Sequence, residues 1–293
     1  MTPPSFRVDI EREIDLIEEI ARLYGYDRVP STLPSVSVTE LDAIPRLALE
    51  ERIRLLLTGF GYSEIINYSF TTPFCAEALG LPPEDERRRF VVIRNPLTED
   101  QSVMRTTLTY GLLETLKKNI NNASWNLKLF EIGRTFLRRG DGELPEERNI
   151  LAALAAGKAS DDLWGLKAGV DFYDLKGCLE NIFQDLKFDS MRFRAEKPQS
   201  YLHPGQSCGV YADDVRIGSM GKAHPDVLKK MDIKSDAYVF EIDLDLLGAK
   251  IRPRVRCREI SKFPAVLRDV AFVLPSSMES EKMLEMVLRQ RED

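Results

Sequence analysis

Strand-like segments follow one another along the middle of this chain, often with no helix between them. They combine apolar, β-branched and aromatic residues, a composition typical of strands. Apolar residues at helical spacing predict two helices, over 45–60 and 106–122. Because strands follow strands rather than alternating strictly with helices, the order predicts an α+β domain with a largely antiparallel sheet. The predicted strands cover residues 63–71, 127–137, 149–156, 209–219 and 237–243.

Length and composition limit the class of protein. At 293 residues the chain exceeds the length that one hydrophobic core serves efficiently, so more than one domain is expected. Its 43% hydrophobic and 30% charged residues are typical of a soluble globular protein. No apolar run approaches the ~20 residues of a membrane span, and no secretory signal is recognisable, so a cytoplasmic location without a membrane partner is expected. The net charge of −6 argues against a protein that coats nucleic acid over its whole surface.

The cysteines do not form a metal-binding pattern. A structural zinc site usually takes its ligands from closely spaced pairs, and this sequence has no C-x-x-C pair. Reduced, mostly buried thiols are therefore expected at Cys75, Cys178, Cys208 and Cys257.

Each end of the chain contains too few predicted elements to form a domain by itself. Residues 1–38 hold a short extended piece, an acidic helix and a Ser/Thr/Pro-rich connector. Residues 251–293 hold one predicted strand, over 269–274, and one helix. A single strand and a single helix cannot enclose a core, so we expect this chain to be an internal fragment of a longer protein.

The acidic helix carries the first candidate site, in the sequence DIEREIDLIEEIARLYGYDRVP. Spacings of three and four residues place Asp15, Glu18 and Glu19 on adjoining parts of one helical surface, with Asp9 on the segment leading into it. One interpretation is a solvated helix start, in which Asp15 complements the helix N-terminus and Glu18 pairs with Arg22. The other interpretation is an oxygen-rich cation site.

The segment IRPRVRCREISK is a second candidate. Arginines at every second position line one face of an extended chain. That face either follows the phosphates of an RNA or keeps a sheet edge solvated and resistant to aggregation, and the spacing does not decide between the two. The residues are Arg252, Arg254, Arg256 and Arg258.

Eight blocks of the sequence, taken in order, carry a resemblance to a known family. They are PSFRVDIEREIDLIEEIARLYGYDRVP, GYSEIINYSF, NPLTEDQSVMRTTLTYGLLETLKKN, LFEIGRTF, VDFYDLKGCLE, HPGQS, IGSMGKAHPDV and FPAVLRDVAFV. The chain resembles the C-terminal half of the β subunit of bacterial phenylalanyl-tRNA synthetases. The resemblance implies the tail of a helical, DNA-binding-like (B5-type) domain with its connector over 1–38, a class II synthetase-like non-catalytic core over 39–250, and the start of a ferredoxin-like anticodon-binding domain over 251–293.

The same resemblance implies partners and cofactors. In the family, two α and two β subunits assemble, and the α subunit uses ATP to attach phenylalanine to tRNA(Phe). The β subunit is expected to supply a scaffold and a tRNA-binding surface. Asp9, Asp15, Glu18 and Glu19 match the acidic positions that hold Mg²⁺ at the contact with the α subunit. The helix over 45–60 matches the motif that packs at the subunit interface.

The catalytic residues of a class II synthetase are missing from their expected places. Such a site needs a motif-2 arginine in an F-R-x-E pattern and a motif-3 arginine in a glycine-rich G-x-G-x-x-R setting, which stabilise charge on the ATP phosphates. After Phe136 come Leu-Arg-Arg without the required glutamate, and YVFEIDLDLLGAK has neither the glycines nor the arginine. This chain alone is therefore expected to be non-catalytic and not to bind ATP. Arg105 and Arg134 serve either a residual site or ion pairs with Glu114 or Glu131.

Three classes of function follow from these observations. A portion of the β subunit of phenylalanine-tRNA ligase is the favoured one. A self-sufficient adenylating enzyme is opposed by the missing arginines. A stand-alone class II-like interaction or RNA-binding module, without a ligase role, remains the alternative.

Overall fold

A seven-stranded mixed sheet lies at the centre of this protein. The computed structural model describes residues 3–33, 45–140, 142–159, 169–188, 190–196, 198–251, 262–264, 266–276, 278 and 280–289. Residues 1–251 form one compact unit and residues 252–293 a second. Within the described residues, no helix is both long and apolar enough to cross a membrane.

The elements of the first unit alternate between helices and strands in an irregular order. In chain order they are α1 (Glu13–Tyr24), α2 (Pro45–Gly59), β1 (Ser63–Glu64), β2 (Phe70–Thr71), α3 (Cys75–Ala78), β3 (Val103–Met104), α4 (Thr109–Asn121), β4 (Leu127–Leu137), β5 (Glu146–Ala156), α5 (Phe172–Asp185), β6 (Met191–Arg194), β7 (Leu202–Ala212), β8 (Val215–Ala223), α6 (Pro225–Lys230), β9 (Ala237–Asp243) and α7 (Leu244–Gly248). In the second unit, the structure has helix α8 (Ser280–Arg289).

The strand order of the main sheet is β1-β4-β5-β9-β8-β7-β6. Strand β1 runs parallel to β4, and every other neighbouring pair is antiparallel. Strands β2 and β3 form a separate antiparallel pair. The predicted mixed architecture with a largely antiparallel sheet is confirmed at this level.

The main sheet is covered by helices on both faces, and β5 shows why its sequence is almost entirely apolar. Leu151, Ala153 and Ala155 join a core with residues of α2 and α5. Their neighbours Ala152 and Leu154 join a second core with residues of α4. Because successive side chains of a strand point to opposite faces, a strand buried on both sides needs a continuous apolar run.

Several elements confirm the expectations from sequence. Helices α1, α2 and α4 and strands β4 and β9 lie where periodicity and composition predicted them, and β5 begins three residues earlier than the predicted 149–156. Residues of α4 at i, i+4 spacing, among them Leu112 and Leu116, are fully buried.

The prediction of one buried strand over 63–71 was wrong. Only its two ends are strands, β1 and β2, and Ile66 between them is 92% exposed. Strand propensity in this segment is outweighed by the polar network around Asn67 that is described below.

Two further predicted strands need correction. The run 209–219 crosses a hairpin turn, because β7 ends at Ala212 and β8 begins at Val215. Asp213 takes a left-handed conformation there (φ +54°), which aspartate tolerates better than most residues. The structure has no strand among the described residues of 266–276, where Val270 is exposed; β propensity without a partner strand does not make a strand.

Two leucines on helices test the packing of the core. Leu116 of α4 is fully buried, whereas Leu55 of α2 is 62% exposed. We expect Leu116→Ala to lower the free energy of unfolding by about 2–5 kcal/mol, because it leaves a cavity against the sheet. Leu55→Ala should change it by about 0.5 kcal/mol or less. Thermal and urea unfolding followed by circular dichroism measures both, and equal losses would contradict the assigned core.

Candidate functional site

The carboxylates of the acidic segment are held by arginines and backbone amides. Arg7 donates to both carboxylate oxygens of Asp9, with Nη2 2.6 Å from Oδ2 and Nε 3.0 Å from Oδ1. The same Nη2 lies 3.0 Å from Glu19 Oε1. The second oxygen of Glu19 accepts from Arg22 at 2.6 Å. Hydrogen bonding to Arg7 lowers the pKa of Asp9 to about 2, and Arg22 and Arg7 together lower the pKa of Glu19. Both acids are therefore ionised near neutral pH.

Asp15 has a different role from its neighbours. Its Oδ2 accepts from the backbone amides of Arg12 and Glu11, at 2.7 and 3.0 Å, at the start of α1. These two amides lower the pKa of Asp15. This agrees with the interpretation that Asp15 complements the helix N-terminus. The expected partner of Arg22 was Glu18, but Arg22 pairs with Glu19, and Glu18 is exposed.

The predicted cation ligands do not converge on one point. Within the part of the chain that the structure describes, no three His, Cys, Asp or Glu side chains are grouped so that they could hold a metal ion. Asp9 and Glu19 come together through the Arg7 guanidinium, whereas Asp15 is turned to the backbone. As arranged, the four acids do not fit a divalent cation.

Helix α1 has no apolar cover among the described residues. None of its residues is buried, and Ile14, Ile17 and Ile20 are each more than half exposed. The expectation that this segment has no core of its own agrees with that exposure.

Arg105, a candidate for a residual catalytic site, belongs to a buried ion pair. Its Nη1 lies 2.5 Å from Glu131 Oε1, and the two side chains are 10% and 2% exposed. Its Nε donates to the carbonyl oxygen of Arg134 at 2.9 Å. Gly133 makes room for the guanidinium, because a Cβ there would lie 2.3 Å from Arg105 Nη2. Of the two alternatives, the ion pair is therefore the one that the structure supports.

The buried pair also holds the loop between β1 and β2. Glu131 accepts from the backbone and side-chain amides of Asn67, at 3.3 and 2.8 Å. Thr115 of α4 donates to the Asn67 side-chain oxygen at 3.0 Å, and the Arg105 amide donates to the carbonyl oxygen of Ser69. One network thus connects this loop, β4 and α4. Arg134, the second candidate, forms an exposed ion pair with Glu147 rather than with Glu114 or Glu131.

A cleft of roughly 360 Å³ opens on the sheet at β4, β5, β8 and β9. Three arginines line it, and each is paired with a carboxylate: Arg87 with Asp85, Arg148 with Glu146 and Glu86, and Arg216 with Glu196. Glu241 in the same cleft accepts from the hydroxyls of Thr107 and Thr109. Sequence reasoning did not single out these arginines. Asp85 and Glu146 are near neighbours of Arg87 and Arg148 in the chain, whereas the cleft itself forms only when distant segments come together. The charge of these arginines is already compensated within the protein.

An exposed aromatic surface lies at a second cleft, of roughly 470 Å³. Tyr68 and Phe70 stack with ring centroids 5.3 Å apart, and Phe74 lines the same cleft. Tyr68 is 73% exposed and Phe74 more than half exposed. We call Tyr68, Phe70 and Phe74 the aromatic surface. Exposed apolar groups of this kind often mark sites of protein–protein contact.

The apolar face of α2 points into the domain. Ile53 and Leu57 are fully buried in the core shared with α5, and Glu50 is buried beside them, where it accepts from Asn149. Packing of α2 at a subunit interface stays a prediction, and it would have to use the exposed side of the helix.

The remaining predicted positions are the cysteines and the four arginines of residues 252–258. Cys75 and Cys178 are buried free thiols, as expected, and burial raises the pKa of both to about 12. Neither is a thiolate near neutral pH. Cys208 is partly buried. Arg252, Arg254, Arg256 and Arg258 lie outside the described residues, as does Cys257.

The arrangement of sheet and helices is shared with a solved structure. It is similar to the structure of a pyrrolysyl tRNA synthetase, PylSc of Desulfitobacterium hafniense, with a TM-score of 0.53, 16% sequence identity, and coverage of 69% of this chain and 66% of that one. The two chains therefore share a fold over about two thirds of their lengths.

Sequence comparison then gives the family. Residues 29–244 match the phenylalanyl tRNA synthetase beta chain CLM domain, and residues 1–26 match the tRNA synthetase B5 domain. The chain belongs to the family of phenylalanyl-tRNA synthetase β chains.

Two relatives show how much of such a protein is present. The phenylalanine–tRNA ligase beta subunit of Syntrophus aciditrophicus is 48% identical over 99% of this chain and 36% of its own length. The subunit of Geobacter sulfurreducens is 39% identical over 94% of this chain and 34% of its own length. The chain thus spans about a third of the length of these curated relatives.

The buried pair of Arg105 and Glu131 can be tested against the exposed pair of Arg134 and Glu147, which joins β4 to β5. We expect Glu131→Ala to lower the free energy of unfolding by about 3–5 kcal/mol, because Arg105 is left buried without its counter-ion. The matched control is Glu147→Ala, which breaks the exposed pair with Arg134 and should cost about 1 kcal/mol or less. Urea unfolding measures both variants. A small loss for Glu131→Ala would show that Arg105 finds other partners.

Proposed function

We propose that this chain is a portion of the β subunit of a phenylalanine–tRNA ligase, and that it acts as a scaffold and tRNA-binding partner for a catalytic α subunit. The observation that carries the proposal is the family match over residues 29–244, which covers most of the chain. The whole complex, an (αβ)₂ heterotetramer in the cytoplasm, would use ATP to charge tRNA(Phe). The proposed division is a B5-type tail with its connector over 1–38, a class II synthetase-like core over 39–250, and the start of an anticodon-binding domain over 251–293.

Within that complex, the proposed role of this chain is non-catalytic. Phosphate binding in a synthetase site needs arginines whose charge is available to the nucleotide. The arginines that line the sheet cleft are instead paired with carboxylates, and Arg105 is tied to Glu131. Binding of ATP is therefore assigned to the partner subunit rather than to this chain.

The alternative is a stand-alone interaction or RNA-binding module without a ligase role. The relatives named above are ligase β subunits, and they align with almost the whole of this chain. This alternative is therefore not favoured. Contact with tRNA by Arg252, Arg254, Arg256 and Arg258 remains part of the proposal, and a solvated sheet edge is the alternative that their spacing leaves open.

The aromatic surface is the region that we propose for contact with the α subunit. Its side chains are apolar, exposed and anchored through a rigid network, because Asn67, next to Tyr68, is bound to the buried Glu131. Interface cores are enriched in aromatic residues, and preorganised contact groups lower the entropic cost of association.

Co-purification of the full-length β subunit with its α subunit tests this proposal. We expect Tyr68→Ser to weaken assembly about tenfold or more, as the loss of a large aromatic contact does at an interface. Tyr173→Ser is the matched control, because Tyr173 is also 73% exposed but lies on α5, outside the aromatic surface. Failure of the unmodified β subunit to bind any α subunit would overturn the function. Equal effects of the two variants would overturn only the position of the interface.

Shared binding of Mg²⁺ by Asp9, Asp15, Glu18 and Glu19 is proposed only for the assembled complex. Hard oxygen ligands suit Mg²⁺, which keeps several waters and need not be enclosed by one chain. Since the four acids do not converge in this chain, a shared site requires their rearrangement or ligands from the partner.

Replacement of two of these acids separates a metal role from a structural one. We expect Asp15→Asn combined with Glu18→Gln to weaken Mg²⁺-dependent assembly with the α subunit, while the melting temperature of the chain stays nearly unchanged. The control, Glu13→Gln with Asp27→Asn, removes the same charge from exposed positions in the same segment. Analytical ultracentrifugation over a Mg²⁺ series measures assembly. An unaltered Mg²⁺ dependence would return the cluster to the role of a solvated helix start.

A further inference from the structure

The cleft of roughly 470 Å³ at the aromatic surface also contains two carboxylates. Asp100 lies in the turn before β3, and Glu114 lies on α4. Asp100 is exposed, whereas Glu114 is partly buried. Burial raises the pKa of Tyr110, which lines the same cleft, and the charges of Glu114 and Asp100 raise it further. Both acidic groups therefore act on the same part of the cleft.

The two carboxylates have no positive partner in the part of the chain that the structure describes. No hydrogen bond or ion pair of those residues reaches the side chain of Asp100 or Glu114. Arg105, which also lines the cleft, is paired with Glu131. Lys118 follows Glu114 by one turn of α4, but it is exposed and, within this described helix, forms no ion pair with Glu114. A partly buried carboxylate without a partner costs free energy, so it indicates a ligand that supplies the missing positive charge.

The aromatic side chains narrow the chemistry of that ligand. The faces of aromatic rings attract cations, and Tyr68, Phe70 and Phe74 are exposed beside the carboxylates. A guanidinium is planar, weakly hydrated and rich in hydrogen-bond donors, so it can stack on a ring and bind a carboxylate at the same time. A lysine ammonium is more strongly hydrated, and a phosphate would meet two like charges. The cleft therefore favours an arginine over RNA.

We propose that this cleft holds an arginine side chain of the α subunit, which stacks on the aromatic surface and donates to Glu114 and Asp100. The inference rests on the proposed function, because the α subunit is the partner, and it deepens that function by naming the group that the partner presents. Glu114 then contributes to assembly and not to the stability of the free subunit.

The affinity of the full-length β subunit for its α subunit tests the role of Glu114. We expect Glu114→Gln, which keeps the shape of the side chain, to weaken assembly about tenfold or more, because the arginine is left buried without its counter-ion. The melting temperature of the free β subunit should not fall. The matched control is Glu180→Gln on α5, which also removes a carboxylate four residues from a lysine and breaks only the exposed pair with Lys176. Its effect on assembly should be less than about twofold.

A second variant tests the cleft without changing α4. Asp100→Asn lies in an exposed turn, and we expect it to weaken assembly about threefold, since an exposed carboxylate contributes less than a partly buried one. Biolayer interferometry with the immobilised α subunit measures all three variants. Unchanged assembly for Glu114→Gln, or equal losses for Glu114→Gln and Glu180→Gln, would overturn the proposal.

Double-mutant cycles identify the arginine itself. Each arginine of the α subunit is changed to glutamine and combined with Glu114→Gln of the β subunit. We expect one arginine whose effect is at least about fivefold smaller in the Glu114→Gln background, because the contact is then already lost. Additive effects for every arginine would overturn the proposal, as would a Glu114→Gln variant that loses affinity for tRNA(Phe) and keeps it for the α subunit. Failure of the two unmodified subunits to assemble would instead overturn the proposed function.

Discussion

Burial of β5 on both faces is the constraint on which the rest of the first unit depends. From Ile150 to Ala156 every side chain of this strand is buried, and the side chains alternate between two cores. Four of these seven residues are alanines, which lets helices approach the sheet closely from both sides. The helices α2 and α5 on one face and α4 on the other are amphipathic because each has one such face to cover. Strands β4 and β9 then flank β5, and the other strands follow outward.

A polar network at the edge of this apolar centre fixes the loop that carries the aromatic surface. Arg105 and Glu131 are buried with their charges paired, and Asn67 and the carbonyl oxygen of Ser69 are bound to them. Backbone groups that serve this network are not available for a continuous strand ladder, which explains why the apolar run 63–71 leaves Ile66 and Tyr68 in solvent. The exposed aromatic side chains are thus a consequence of where the buried charges lie.

Much of the fold could be predicted from sequence because its pattern is local. Strand β4 and helix α4 lie where composition and i, i+4 spacing placed them, since burial repeats with the period of the element. The run 209–219 misled because the two-residue hairpin turn at Asp213 and Asp214 interrupts an otherwise strand-like sequence. Composition does not show a turn made of two polar residues when the strands on both sides continue the same pattern.

The candidate site was less predictable for the opposite reason. Helical spacing correctly placed Asp15, Glu18 and Glu19 on one helix. It could not show which arginine or backbone amide each carboxylate would contact. The contact between Arg7 and Glu19 depends on how the preceding segment folds back, and that is a tertiary feature without a signal in local spacing. The lack of the two synthetase arginines could be recognised from the sequence, because each motif is a short run of neighbouring residues that can be read directly.

The same arrangement of charge occurs in the acidic segment and in the sheet cleft. In both places arginines meet carboxylates of this chain, so their charges are compensated before any ligand arrives. Such pairs add little to stability at a surface, but they set a condition for any charged ligand, which must first break them. Apolar side chains face no such competition: the rings of Tyr68 and Phe74 and the isoleucines of α1 are exposed, and covering them releases water without breaking an ion pair. Recognition by this part of the chain should therefore begin with apolar contact, and any exchange of ionic partners should follow it.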